Sequence, residues 1–420
     1  MIKIIDNFIL YLICLIPLGL VSGPFIPDAL LVIVSLLFIV QVFYKKLYFY
    51  FHNRYTYIFI AYCIFIIICS LLSSNILLSL ESSLFYFRFG IFALAVWYII
   101  DTDPMFIRYF TYILLGLFII LFIDGVYQYL TNYNFLGYHY GGNRLSSLFG
   151  EKKVLGNFLS RLLPLLVALL ILQLKNTGIN GLLILLLTLC SGFLILISGD
   201  RTGFVIYLFS VFTSFLLMNS WKKMRIVNVV LFLTPFIVIV FLDTNIYNRL
   251  INKTIFQVQG NLQAPDEKLY FLTKTHHLYL ETSFKMFKEN KIYGIGPKNY
   301  RDQCNNKKYR TEDIYLRSTN PCSTHPHNTY FQSLAETGII GFIPIVTIFF
   351  MIGFIFLRQF IALCKGSLYI SDYKLFLYIA LIITVLPLLP SLNFYNNWIS
   401  IIYYLPIGFV LSAINSRTKL

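Results

Sequence analysis

The sequence predicts an all-α polytopic membrane protein of about twelve transmembrane helices, with one large outer loop before the tenth. Three observations predict it. Only 12% of the 420 residues are charged and 58% are hydrophobic, whereas a soluble domain carries roughly a quarter charged residues. Apolar runs recur from one end of the chain to the other, and a helix needs about 20 such residues to cross a bilayer. Lysine and arginine in the short loops fall on one side of those runs, as the positive-inside rule requires.

Runs of spanning length lie at about 8–22, 28–44, 56–73, 84–100, 106–130, 154–174, 181–199, 202–219, 226–243, 336–357, 374–390 and 397–414. The pair meeting at Gly199 and Arg201 also reads as one long broken helix. Lys3 followed by an apolar run resembles a signal peptide, but a second run follows almost at once, with Pro24 and Pro27 in the gap. The first run is therefore read as an uncleaved helix. The chain divides into helices one to nine (1–243), a polar loop with short helices (244–335) and helices ten to twelve (336–420). Within the loop, 270–289 has helical spacing, with Leu278, Leu280, Phe284 and Phe287 near one face. Gly294, Gly296 and Pro297 stop it.

Lys45, Lys46, Arg54, Lys175, Lys222, Lys223, Arg225, Arg358, Lys365, Lys374, Arg417 and Lys419 all fall on one side, together with Lys3. That side is cytoplasmic by the positive-inside rule, with both termini inside and 244–335 outside. The turn at Asp101 and Asp103 is the one acidic exception. The net charge of +15 does not point to nucleic acid, because no basic helix is interleaved with stacking aromatics. Cationic loops suit anionic lipid headgroups, and they suit pyrophosphate-bearing substrates. Many of the 31 Tyr and 41 Phe form an interfacial belt or fill space between helices.

The most informative segment is Cys322-Ser-Thr-His-Pro-His-Asn-Thr-Tyr-Phe-Gln332, which stands just before the tenth run. A neutral imidazole there, from His325 or His327, could take a proton from a sugar hydroxyl. Asn328 and Gln332 could bind sugar hydroxyls, with Glu336 one turn further on. The plain alternative is a loop whose histidines cap a helix. Two histidines one residue apart do not make a metal site without a third ligand. A second feature is Ser198-Gly199-Asp200-Arg201-Thr202-Gly203, a charged pair at a membrane boundary. Such residues usually face a cavity, and the Arg201 guanidinium suits phosphate oxygens; a solvated turn is the alternative. Arg88, Arg144, Lys152, Lys153 and Arg161 lie in or beside other spans. With few acids nearby they call for counter-charge, which an anionic lipid-linked ligand could provide, or for snorkelling to headgroups. Of seven cysteines, Cys304 and Cys322 share the polar loop; in an oxidising compartment they could pair, and otherwise they are free thiols. No P-loop, dinucleotide glycine fingerprint, nucleophile elbow or His-Glu-x-x-His motif occurs, which argues against nucleotide-driven chemistry.

At these residues the chain resembles the O-antigen ligase and O-antigen polymerase family of bacterial membrane glycosyltransferases. The likeness rests on Arg144-Leu-Ser-Ser-Leu-Phe-Gly with Leu155-Gly-Asn, on Ser198-Gly-Asp-Arg-Thr, and on Tyr293-Gly-Ile-Gly-Pro. It rests further on His325-Pro-His-Asn-Thr-Tyr-Phe-Gln with Glu336-Thr-Gly-Ile-Ile-Gly341, and on Pro390-Ser-Leu-Asn-Phe-Tyr-Asn-Asn-Trp398. The resemblance implies transfer of a glycan from an undecaprenyl-pyrophosphate carrier to a sugar hydroxyl acceptor, with inversion and without metal or nucleotide cofactor. That acceptor would be a second lipid-linked repeat (polymerase) or a lipid A core sugar (ligase). The place would be the periplasmic face of the bacterial inner membrane, in lipopolysaccharide or surface polysaccharide biosynthesis. The family's catalytic His maps onto His327 and one of its arginines onto Arg201. A further family Arg, early in the loop helix, has no match here; His276 and His277 occupy that region. Substrate-binding roles then fall to His325, Asn328, Gln332, Glu336, Arg144, Arg88, Arg161 and His277. The missing Arg and the Cys304/Cys322 pair favour polymerase over ligase. A flippase for lipid-linked saccharides would share the span count and the membrane arginines, but it would not need the His-Pro-His-Asn loop.

Overall fold

The computed structural model describes residues 2–142, 144–174, 178–220, 237, 240–241, 243–253, 255–256, 272–313, 316–317, 319–387 and 389–415. The first helices are α1 (Ile2–Ser22), α2 (Phe25–Lys45), α3 (Arg54–Leu71), α4 (Ile76–Ser83), α5 (Phe87–Thr102) and α6 (Phe106–Thr131). Next come α7 (Leu155–Gln173), α8 (Gly178–Ile197) and α9 (Arg201–Leu217), then α10 (Lys274–Glu289) in the polar loop. Last are α11 (Thr329–Cys364), α12 (Asp372–Ile382) and α13 (Asn397–Asn415). Among the described residues, eight helices are long and apolar enough to cross a membrane, and two shorter apolar ones cover Gly181–Ile197 and Arg201–Leu217. The protein is an all-α polytopic membrane protein. Helices α5, α7 and α13 are buried along most of their length. By contrast α3 and α11 turn Ile58, Ile64, Ile68, Ile343, Phe350 and Phe354 outward. So wide an apolar surface is stable only against lipid.

The ninth run, 226–243, falls almost wholly outside the described residues, as do Lys175, Lys222, Lys223, Arg225, Arg417 and Lys419. The junction at Gly199 resolves into two helices. Gly199 has φ +67°, and Asp200 caps α9 by accepting the Gly203 N–H. Helices α7 and α9 meet closely here, because a Cβ on Gly203 would lie 2.6 Å from the Gly156 carbonyl carbon.

The eleventh run departs from its expected length. Helix α12 has 11 residues, roughly 16 Å of rise, and an irregular segment runs from there to α13. Pro387 and Pro390 explain the stop, since proline supplies no N–H and disfavours helix at the residue before it. Irregular backbone at membrane depth must be satisfied by protein, and it is. Ile383 O accepts from Arg161 Nη1 (3.1 Å) and Val385 O from Tyr330 OH (2.5 Å). Ser391 N–H donates to His327 O (2.8 Å) and Phe394 N–H to Gln332 Oε1 (3.0 Å).

Helix α11 begins at Thr329 rather than at the run's start, and it kinks at Gly338 (φ +63°). The kink frees the carbonyls of Ala335 and Glu336, which accept from Ile295 N–H and Gly296 N–H at 2.9 Å each. Gly294 and Gly338 permit that crossing, since a Cβ on either would fall within 2.5 Å of backbone atoms. The two glycine motifs are thus halves of one junction. Met286, Ile295, Tyr300, Cys304, Tyr309 and Ala335 form a small separate core over it. In α10 the buried face is Leu278, Thr282, Ser283 and Met286. Phe284 is exposed instead, under the Lys288 ammonium. Small hydroxyl residues, not the aromatics, let α10 approach α11.

Candidate active site

The turn between α8 and α9 gathers arginines. Asp200 Oδ1 accepts the Gly203 N–H (3.2 Å), while its Oδ2 takes Arg144 Nη2 at 3.1 Å. Arg144 stands there because the next residue, Leu145, donates its N–H to Ser198 O (3.2 Å). That loop is in turn held from α6, where Gln128 Oε1 accepts Ser146 N–H and Ser147 N–H. Arg249, which the sequence reading did not select, donates Nε to Gly199 O at 2.7 Å. Burial lowers its pKa, and the like charges of Arg144 and Arg201 lower it further. Three guanidinium groups therefore share one turn at the positive end of α9.

The histidine turn lies close by. His327 has φ +55°, a left-handed conformation that non-glycine residues seldom adopt and that concentrates at functional sites. Its Nε2 is 3.1 Å from Ser323 Oγ, and its ring meets His325 (4.1 Å between centroids), Tyr279 (5.6 Å) and His276 (5.6 Å). His325 is pinned: its Nε2 donates to Ser391 O (3.0 Å), so Nδ1 accepts from Thr324 OH (2.9 Å). Burial, with the neighbouring His327 second, holds His325 down at about 3. Burial, then His276, holds His327 at about 4. Both are neutral at pH 7, the form a general base requires. His276 faces both halves of the site. It touches His327, and its pKa is lowered first by burial and then by the Arg201 charge.

The comparison with known families falls on this same stretch. Residues 183–346 match the O-antigen ligase family model. No curated protein matches the chain. The O-antigen ligase match takes in α8, α9, the polar loop and the start of α11, so it contains Arg201, Arg249, His276, His325 and His327.

Around this centre the remaining candidates separate. Asn328 caps α11, its Oδ1 accepting Tyr330 N–H (3.0 Å) and Phe331 N–H (3.2 Å). Gln332 and Glu336 are fully buried. Gln332 Nε2 donates to Glu336 Oε2 (3.0 Å) and Asn393 Oδ1 (2.8 Å), and Glu336 Oε1 accepts Tyr300 N–H (3.2 Å). These three side chains knot the loop, α11 and the 391–396 segment together, and their polar atoms face protein rather than a sugar. Arg88 is paired with Asp28 (3.0 Å), which also accepts Asn397 Nδ2 (3.0 Å). Its counter-charge is thus an internal acid, 60 positions away in sequence. Arg161 is buried on Asn157 Oδ1 (2.6 Å), the Ile383 carbonyl and the Tyr403 ring. There it satisfies the end of α12, whose dipole favours a cation. The ring against His327 is His276 and not its neighbour His277, which lies about 100° further round the helix. Cys304 and Cys322 form a disulfide, Cα to Cα 5.2 Å, and Tyr300 OH donates to Pro321 O (2.9 Å) beside it. Both hold the strip that leads into Ser323 and the histidines. Arg249 had one sequence signal: an arginine just past an apolar run, on the side that should be poor in basic residues.

Proposed function

We propose that this protein is a metal-independent inverting glycosyltransferase of the O-antigen polymerase or ligase type. It transfers a glycan from undecaprenyl pyrophosphate to a sugar hydroxyl at the periplasmic face of the inner membrane, with both termini cytoplasmic and about twelve spans. The observation that carries the reading is the strained, neutral His327 next to an arginine-bearing helix start, inside the family-matched segment.

In this reading the acceptor hydroxyl gives its proton to His327 while its oxygen bonds to the anomeric carbon. The bond from that carbon to the pyrophosphate oxygen breaks, and its electron pair leaves with the pyrophosphate. A positioned base is worth roughly 10²–10⁴-fold. The leaving group is already good, so the larger need is stabilisation of its charge, which preorganised Arg144 and Arg201 supply in a poorly screened site. His325, tied to Ser391, orients the turn. Polymerase is favoured, because the loop helix carries His276 where the family has an arginine.

Purified protein with lipid-linked donor and acceptor tests this. Release of undecaprenyl pyrophosphate with a lengthened glycan supports the reading; movement of donor between leaflets without turnover would replace it with a flippase. Deleting the gene separates the two acceptors. Loss of long chains with a single core-linked repeat retained means polymerase, and accumulation of unattached long chains means ligase.

A further inference from the structure

Helix α6 carries its exposed side chains in one stripe that includes Tyr109, Tyr112, Ile119, Ile123 and Tyr127. The spacing is that of a single helical face. Tyr109 and Tyr127 stand roughly 27 Å apart along the axis. That is close to the thickness of a hydrocarbon core, at whose edges tyrosine collects. Tyr127 therefore marks the level of one membrane interface.

Just past that level the chain doubles back. Asn132 ends α6 with φ +67°. The hairpin that follows is closed by Asn134 N–H to Tyr138 O (3.1 Å), and Phe135 returns to stack on Tyr127 (4.6 Å between centroids). Its polar groups turn inward. The buried Asp124 accepts Phe135 N–H (2.8 Å), and the buried Asn134 Oδ1 accepts the N–H groups of Leu136 (3.1 Å) and Tyr138 (2.7 Å). Gly137 N–H donates to Asn134 O and Tyr133 N–H to Thr131 Oγ1, so every amide from 133 to 138 donates inside the protein. Irregular backbone can touch lipid only when it is satisfied in this way. The side chains turn the other way: Phe135 and Leu136 are 60% and 63% exposed. Residues 132–142 include no Lys, Arg, Asp or Glu.

We propose that the 133–138 hairpin is an interfacial anchor, with Phe135 and Leu136 seated at the headgroup–acyl boundary beside α6. The partner is the lipid surface, engaged by apolar area rather than by charge. The chain runs on from the hairpin to Ser146 and Ser147, whose N–H groups donate to Gln128, and Ser147 Oγ donates to Asp124 (2.6 Å). The anchor thus sets the depth of the 144–147 strip against the bilayer, whatever that strip binds.

The test uses the full chain in phosphatidylcholine nanodiscs whose acyl chains carry bromine, either near the headgroup or near the chain end. L136W and F135W each place an indole at the tip, and the wild-type trace supplies the background from the three natural tryptophans. K307W, on an exposed turn of the polar loop, reports a position in water. The shallow bromine should quench both tip indoles several-fold more strongly than it quenches K307W, and more than the deep bromine does. Aqueous iodide should rank the tip indoles below K307W. F135W keeps an aromatic ring on Tyr127, so it decides the matter should L136W fail to fold. Tip indoles quenched by iodide as fully as K307W would overturn the inference, because the hairpin would then stand in water. Indoles shielded from both quenchers would overturn it too, because a protein surface would then cover the tip.

Discussion

At the scale of single residues, His325 and His327 show how two identical side chains take different parts. One ring is buried and committed at both nitrogens; the other sits in a strained backbone, stacked on Tyr279 and facing His276. His327→Ala should therefore lower turnover by roughly 10²–10⁴-fold with donor binding nearly unchanged. His325→Ala should be milder, acting through the turn. The reverse order, measured as release of undecaprenyl pyrophosphate, would move the base two residues upstream. Arg201→Lys should also fail, because one ammonium cannot reproduce the guanidinium fork. The pH profile follows from the burial of His327. An ordinary histidine, with its pKa at 6.5, would lose its base form below neutrality, but His327 is held at about 4. Turnover per donor bound should stay level from neutral pH to about 5 and fall only as pH drops through the lowered value. A midpoint near 6.5 would show that His327 is not the titrating base.

At the scale of elements, the site depends on two close approaches that tolerate no side chain. Gly203 lies against the Gly156 backbone, and Gly338 lies 2.3 Å, at its would-be Cβ, from Ile292 O. Gly338→Ala also forces alanine into φ +63°, at a cost of roughly 1–2 kcal/mol before any clash. Both substitutions should lower the melting temperature in detergent. Gly203→Ala should in addition weaken donor binding, because the turn that carries Arg201 would shift away from α7. Wild-type melting and binding in Gly203→Ala would show that the helices can separate without disturbing the arginines. Asn328→Ala removes the cap of α11 and should cost about 1 kcal/mol. Because the cap adjoins His327, turnover should fall further than stability does.

At the scale of the whole molecule, orientation and the loop staple are the testable features. Reporter fusions after Lys223 and after Lys307 should report opposite compartments, cytoplasmic and periplasmic respectively. The same compartment for both would reject the twelve-span arrangement. The Cys304–Cys322 bond closes a loop with a sequence separation of 18, worth about 3 kcal/mol in the chain-entropy model. Mass spectrometry of the unreduced protein should find both thiols blocked. Cys304→Ser should lower stability and loosen the strip before His325, so turnover should fall and should no longer respond to reductant, as the unmodified protein's should.

The membrane class, the order of the helices and the segment bearing the histidines were legible in the sequence, because bilayer solvation acts on each apolar run locally and helix caps act within one turn. Gly199 and Asp200 mark a break by their own backbone preferences, whereas the prolines at 387 and 390 were read inside a span at 374–390 although the helix stops at Ile382. What only the tertiary structure decided is which polar groups meet. Asp28 reaches Arg88 across 60 positions and Ser391 reaches His325 across 66, so no local pattern announces either pairing. Gln332 and Glu336 read as sugar ligands in the sequence, yet in the fold they are buried and bonded to each other, to Asn393 and to the N–H groups of Tyr300 and Phe394. Arg249 and His276 enter the site for the same reason. Their neighbours come from distant stretches of chain, and electrostatic proximity is a property of the folded packing alone.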